Sequence, residues 1–304
     1  MYRRRRSIAI GKRLERKINH ILLGLIFVFL LPIFITTFFS KRNAEELILN
    51  YSNVQVTEDE VMLPEIVAKQ IGISMPDACI KAQAVIARTN LKAAMKSGET
   101  IPEGISNAKL KELWGGNYDI YYKRLKELIE ETAGETLQYN GEYIYAAYHQ
   151  TSAGNTRTME EYAGADKMPY LKSVSCHEDT TAENYLNVYF WTAEEFLTLM
   201  KKIFPEEMVG STQDVYVLTR DEAGYVIEMQ VGQTVIDGET FRNRLSLPSA
   251  CFELTLIEED VRLVTMGNGH GFGLSQYTAG KMAEAGSSYE EILNYFYKGA
   301  ILTE

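Results

Sequence analysis

Met266-Gly267-Asn268-Gly269-His270-Gly271-Phe272-Gly273-Leu274-Ser275-Gln276-Tyr277 is the stretch on which the reading of this chain turns. Four glycines alternate with larger residues, and Leu-Ser-Gln-Tyr then leads into a predicted helix. Alternating glycine lets a backbone approach a partner closely or take a positive φ. One imidazole, His270, sits inside that backbone. Ser275 and Gln276 stand at the mouth of the helix, where free N–H groups can receive polar ligands. Two nucleotide-binding patterns are excluded. A phosphate loop needs Gly-x4-Gly-Lys-Ser/Thr, but Ser275 takes the first position before Gly280-Lys281, and Met282 follows. The dinucleotide pattern Gly-x-Gly-x-x-Gly fails in each register, because its last position falls on Phe272, Leu274 or Gln276. Glycine alone is equally consistent with a tight turn between a strand and a helix.

Upstream of the loop, residues 252–257 and 262–266 read as strands that feed it, and 241–245 as a short helix. Runs 215–218, 225–231 and 234–236 are strand-like, divided by Asp221-Glu222-Ala223-Gly224 and Gly232-Gln233. Residues 191–204 read as an amphipathic helix with Phe196, Leu199, Met200 and Ile203 inward. The pattern predicts an α+β fold.

Nearer the start, residues 58–71 carry short apolar runs that suit a strand or a helix. Ser74-Met75-Pro76-Asp77 reads as a helix start, with Ser74 as N-cap and Asp77 as the acid of a capping box. The helix runs over about 75–96, burying Ile80, Ala84, Ala87, Leu91 and Ala94. Lys81 and Arg88 share another face, which is either solvated or lines a groove; Gln83 lies cleanly on neither. Residues 110–129 carry Trp114, Tyr118, Tyr121 and Tyr122, either core packing or platforms for sugar rings. Residues 134–147 read as a hairpin around Asn140-Gly141, the dipeptide of a type I′ turn. Its second strand leads to His149, Thr151 and Ser152, and strand ends are where rigid scaffolds place working groups. His149 is either one of these or a histidine satisfied by backbone.

The charge of this 304-residue chain is uneven. Ten Lys and Arg against one Glu give residues 1–42 a net charge of +9, so the total of −10 leaves −19 on residues 43–304. An acidic body of this kind excludes nucleic acid as a partner held by field attraction. The leader holds Arg3 to Arg6, Lys12, Arg13, Arg16 and Lys17. Residues 21–39 follow without a charge, near the length that crosses a bilayer as a helix. Phe38-Phe39-Ser40-Lys41 offers no small-x-small cleavage site, which favours an anchor over a cleaved signal peptide. The basic excess before the span puts the N-terminus in the cytoplasm and the rest outside it, in a single-pass membrane protein. The expected organisation is a leader over 1–20, an anchor over 21–39, a linker over 40–54 and one domain over 55–304.

Three cysteines, Cys79, Cys176 and Cys251, are an odd number, so at least one thiol is unpaired within the chain. Cys79 falls within the helix as a small buried group. His149, Cys176 and His177 are zinc-ligand types. No CxxC or HxxxH spacing supports such a site, and neighbouring Cys-His rarely both bind one ion. The expectation is no metal.

The string Gly269 to Tyr277 resembles the C-terminal signature of the stage II sporulation protein D family (SpoIID/LytB domain). The segments after it agree: Ala279-Gly280-Lys281-Met282-Ala283, Gly286, Ser288-Tyr289, Glu291-Ile292-Leu293 and Tyr295-Phe296-Tyr297. So do the blocks Lys81 to Thr89 and Tyr148 to Thr156, Pro169-Tyr170-Leu171, and Phe241 to Ser249. All come in the family's order across roughly residues 55–302. The resemblance implies a membrane-bound protein that cleaves peptidoglycan glycan strands lacking stem peptides by lytic transglycosylation, during engulfment and beside other engulfment proteins. A carboxylic acid would protonate the glycosidic oxygen, and the muramic acid 6-hydroxyl would close on C1. That acid needs a pKa raised by burial, and the reaction needs no cofactor. The resemblance implies substrate-binding roles for Lys81, Gln83, Arg88, His149, Ser152, His270, Ser275 and Gln276.

The chain departs from the family at one place. The family's catalytic glutamate stands in a Glu-Met-Pro string, and here the string is Ser74-Met75-Pro76. A hydroxyl cannot donate the proton that a carboxylic acid does. Asp77 and Glu65 are the candidate substitutes, although Asp77 already has a capping role. Two readings follow: an active lytic transglycosylase with a displaced acid, or a non-catalytic glycan-binding scaffold of the same fold.

Overall fold

Pro76 sets where the central helix begins. It has no N–H and a fixed φ, and it holds the residue before it out of helical conformation. The computed structural model, which describes residues 58–164 and 167–304, accordingly starts the helix after Pro76, whose φ and ψ are −56° and 149°. The basic leader, the expected anchor at 21–39 and the linker to 54 lie outside the described residues. Ser74 is therefore not the N-cap, as the sequence had suggested. Asp77 is the first helical residue and ion-pairs with Arg124 instead of closing a capping box.

This helix, α2 (Asp77–Ser97), ends at Gly98, which takes φ 74° and sends its N–H back to the Ala94 carbonyl. The predicted stripe from Ile80 to Ala94 is buried, and so are Val85, Ile86 and Thr89 on the other sides. Such all-round burial makes α2 the axle of the main core. Packed on it are α1 (Glu58–Gln70), α4 (Tyr118–Glu130), α8 (Gln276–Glu284), α9 (Tyr289–Phe296) and strand β1 (Thr136–Tyr139). Helix α3 (Asn107–Trp114) joins α4 at the surface, with Trp114 edge-on to Tyr121 and Tyr118 stacked on Tyr122.

The Asn140-Gly141 turn forms as read, with φ 53° and 81°. It joins β1 to the short β2 (Glu142–Tyr143), and β1 pairs on its other edge with β11 (Ile301–Thr303). The hairpin does not extend to His149. Strand β3 (Tyr148–His149) leaves it and pairs in parallel with β10 (Leu274–Ser275), which begins the exit from the glycine-rich loop. A short helix, α5 (Met159–Ala163), follows β3.

A second core lies under two antiparallel sheets. One has the order β4 (Leu186–Trp191), β9 (Asp260–Met266), β8 (Phe252–Ile257). The other is β5 (Val215–Arg220), β6 (Val226–Val231), β7 (Thr234–Asp237). Trp191 ends β4 rather than starting the helix, because Thr192 caps α6 (Ala193–Ile203) in a capping box with Glu195. The inward face of α6 buries Phe196 and Met200 completely, while Leu199 and Ile203 remain half-buried. Phe204 stacks on Phe241 of α7 (Gly238–Leu245), which meets Phe252 at a tilt. Each buried ring contributes about 2 kcal/mol of apolar transfer energy.

Arg157 joins the second core to the loop. It is fully buried, ion-pairs with Asp221 at 2.6 Å and Glu239 at 3.1 Å, and is covered by the rings of Tyr225, Phe272 and Tyr162. Its backbone N–H donates to the Gly271 carbonyl at 2.8 Å and its guanidinium to the His270 carbonyl at 3.3 Å.

Candidate functional site

The glycine-rich loop folds flat against residues 147–152. Thr151 and Asn268 exchange backbone hydrogen bonds of 3.1 and 2.8 Å, the Leu274 N–H donates to the Ala147 carbonyl at 3.0 Å, and the Tyr277 N–H to Gln150. Glycine is required by this contact. A Cβ on Gly269 would sit 2.4 Å from the His149 Cβ, and one on Gly273 would sit 1.9 Å from the Ala147 carbonyl oxygen. Both residues also take positive φ, 128° and 69°. The tight-turn reading and the close-approach reading of the glycines therefore both hold.

The contact brings two imidazoles together, with ring centroids 5.7 Å apart. Phe272 holds both by its backbone. Its carbonyl accepts from His149 Nδ1 at 3.0 Å, and its N–H donates to His270 Nδ1 at 3.1 Å. These bonds assign opposite tautomers, so His149 keeps a bare Nε2 and His270 carries its proton on Nε2. His149 Nε2 is buried without a hydrogen-bond partner. Burial lowers the His149 pKa to about 4, against the Phe272 hydrogen bond that favours the charged form. Burial also lowers that of His270 to about 3, helped by the charges of His149, Arg242 and Arg157. Both rings are therefore neutral near pH 7.

Beside them runs a chain of amides. Gln83 donates to Gln70 Oε1 at 2.8 Å and accepts from Gln276 at 3.1 Å, and Gln276 also donates to the Gln70 carbonyl at 2.9 Å. Asn268 donates to Gln150 Oε1 at 2.7 Å. Two cavities open along this chain. One of about 270 Å³ is lined by His149, His270, Gln70, Gln150, Asn268 and Gln276. The other, about 520 Å³, shares Lys69, Gln70, Gln150, Asn268 and Gln276 with it and adds Ser74 and Glu183. Their shared walls make one groove.

Of the residues expected at a site, His149, His270, Gln276 and Ser74 line this groove, with Gln83 just behind it. The others are placed elsewhere. Ser152 and Ser275 are fully buried and bound to Asp179, which accepts from the Ser152 N–H at 2.6 Å and from Ser275 Oγ at 2.8 and 2.9 Å. Arg88 is buried among Glu60, Thr132 and the carbonyls of Ile129 and Glu135, so it clamps α1, α2 and α4 together. Lys81 pairs with Glu131. Asp77 is held by Arg124, and Glu65 by Asn107 and Tyr122, so neither substitute acid lines the groove.

Burial raises the Cys176 thiol to about 12. His177 is exposed, and among the described residues no three His, Cys, Asp or Glu side chains come together as metal ligands do. All three cysteines are free and buried.

Sequence reasoning missed Gln70, Gln150, Asn268, Glu183 and Asp179. Asn268 and Gln150 stand inside the two quoted motifs and could have been found there. Gln70 ends a helix with no motif around it. Asp179 lies on a short 3-10 turn (His177–Thr181) where only the fold reveals its partners.

Comparison with known proteins completes the picture. A model of the stage II sporulation protein family matches residues 49–139. The chain is 32% identical to stage II sporulation protein D of Bacillus subtilis (strain 168) over 259 residues, covering 79% of this chain and 72% of that protein. This chain belongs to the stage II sporulation protein D family. The family protein of Bacillus amyloliquefaciens is 28% identical over 84% of this chain and 76% of its own length. A protein named amidase enhancer, from Bacillus subtilis (strain 168), is 26% identical over 79% of this chain and 40% of its own length. A general role in sporulation and the cell wall follows from membership of the stage II sporulation protein D family.

Proposed function

We propose that the groove binds peptidoglycan glycan strands freed of stem peptides, and that the chain is a non-catalytic glycan-binding scaffold of its family. One observation carries this reading: the groove is walled by amides and neutral imidazoles, beside one cation, Lys69, which is paired with Glu103. Gln70, Gln150, Asn268 and Gln276 supply donors and acceptors in one side chain each, which suits sugar hydroxyls. Lytic transglycosylation needs a carboxylic acid kept protonated by burial. Among the described residues the one carboxyl that lines the groove is Glu183, and it is exposed. The net −19 of residues 43–304 favours strands without stem-peptide carboxylates. An anchor at 21–39 with the N-terminus in the cytoplasm would hold the groove at the wall, beside other engulfment proteins.

A second reading rests on Glu183 itself. It shares the larger cavity with Ser74, so a strand lying there would strip water from its carboxyl and make it the displaced acid of a lytic transglycosylase.

One experiment separates the two. The full-length protein in detergent is incubated with peptide-stripped strands, and the products are examined by mass spectrometry. Intact strands that co-sediment with the protein are expected. Products ending in 1,6-anhydro-muramic acid, lost in Glu183→Gln, would establish the second reading.

A further inference from the structure

A third cavity, of about 610 Å³, continues the groove past the histidines. It shares Gln70 and Tyr148 with the histidine cavity and is walled by Tyr143, Tyr145, Lys96 and Glu142. Three tyrosines thus face one channel from β2, β3 and the segment between them. Tyr145 is 55% exposed, and Tyr148 and Tyr143 are half-buried.

The backbone that carries these rings is fixed on every side. The Asn90 amide exchanges two hydrogen bonds with Ala146, of 2.8 and 2.9 Å. The Tyr145 N–H donates to the Tyr170 hydroxyl at 3.0 Å. The Ala147 carbonyl accepts from the Tyr297 hydroxyl at 2.7 Å as well as from Leu274. The backbone that carries the rings is therefore set before any ligand arrives, which removes part of the ordering cost of binding. Lys96 pairs with Glu142 and lies 6.0 Å over the Tyr143 ring, and Glu99 adds one further carboxylate to the lining. Aromatic faces with hydroxyl edges, on a wall whose charges leave no excess of cations, suit the apolar faces of sugar rings and not a phosphate or a peptide carboxylate.

We propose that Tyr143, Tyr145 and Tyr148 form a separate saccharide subsite that receives further rings of the same glycan strand, beyond those held at the amide chain. This rests on the glycan-strand reading given above. The subsite makes the protein a reader of strand length: a short fragment occupies the amide groove alone, and a longer one also stacks on the tyrosines.

The test is calorimetric titration of the full-length protein in detergent with peptide-stripped di-, tetra- and hexasaccharides of the glycan. Affinity is expected to rise with length in the wild type. Tyr145→Ala is expected to weaken the hexasaccharide roughly tenfold and leave the disaccharide unchanged, and Tyr145→Phe to keep the wild-type pattern. Tyr143→Ala, at a half-buried position, should repeat the length-selective loss. Affinity independent of length, or equal losses for short and long fragments in Tyr145→Ala, would overturn the subsite while leaving the amide groove standing. No binding of any fragment by the wild type would overturn the glycan reading and the subsite together.

Discussion

The hydroxyl of Ser275 lies 2.9 and 2.8 Å from the two carboxylate oxygens of Asp179, ninety-six positions away. Asp179 also accepts from the Thr278 hydroxyl at 2.8 Å and from the Ser152 N–H at 2.6 Å. One buried carboxylate thus binds the start of α8 to the segment that carries His149. Burial raises its pKa, and the Ser152, Thr278 and Ser275 hydrogen bonds oppose that rise.

Asp179→Asn keeps the volume but replaces one acceptor oxygen by an NH2 that faces donors. Buried donors left without an acceptor are costly, so unfolding free energy should fall by about 3 kcal/mol. Urea titration will show this as a lower midpoint with an unchanged slope. An unmoved midpoint would mean that the network is not structural.

The neutral histidines tie stability to pH. An unfolded His149 titrates near 6.5, and the folded one at about 4. The folded value is depressed, so the unfolded chain takes up the proton first. Stability is complete above pH 6.5 and declines as pH falls towards 4, by about 3 kcal/mol for this residue. Urea midpoints at a series of pH values will trace the decline, and His149→Gln should flatten it. An identical slope in the variant would assign the effect to other groups.

Gly273→Ala places a methyl group against the Ala147 carbonyl and should melt far below the wild type. Gly286 has positive φ, 97°, but open space around it. Gly286→Ala should therefore cost only the backbone strain of about 1 kcal/mol. Thermal melts of the two variants side by side separate contact from conformation, and equal melting temperatures would refute the packing role given to Gly273.

Gln70 lines all three cavities, and Gln83 holds its oxygen at 2.8 Å. Gln70→Glu would put a carboxyl at the centre of the groove, partly shielded from water, where it can keep its proton near neutral pH. Ser74→Glu would put one in the wider part. We expect 1,6-anhydro ends from Gln70→Glu at least, seen by mass spectrometry. If both variants still bind strands and neither cuts them, a missing acid does not account for the non-catalytic role proposed here.

Much of this was legible in the sequence. The alternation of glycine with larger residues located the loop, Asn140-Gly141 located the hairpin turn, and helical spacing found the inner face of α2. The errors have physical causes. Pro76 moved the start of α2 past Ser74. Arg88 and Lys81 do share a face, but spacing cannot tell solvent from a buried ion pair, and Arg88 found Glu60. Ser152 and Ser275 stand in motifs and serve the fold through Asp179, whose contacts are all long-range. Gln70 was invisible because its importance arises where helix α1 ends, against side chains two hundred positions away.

Gln276 reaches the Gln70 carbonyl across 206 positions, and Asn268 reaches Gln150 across 118. Neither wall of the groove is local. Long-range contacts of this kind carry the largest loop-closure cost, so the groove is not inherited from any early folding unit. A nascent chain that has emerged only as far as β9 has its central helix but lacks Asn268, His270 and Gln276, and so lacks the amide groove. The amide groove is therefore complete only once residues 268–276 have reached Gln70 and Gln150.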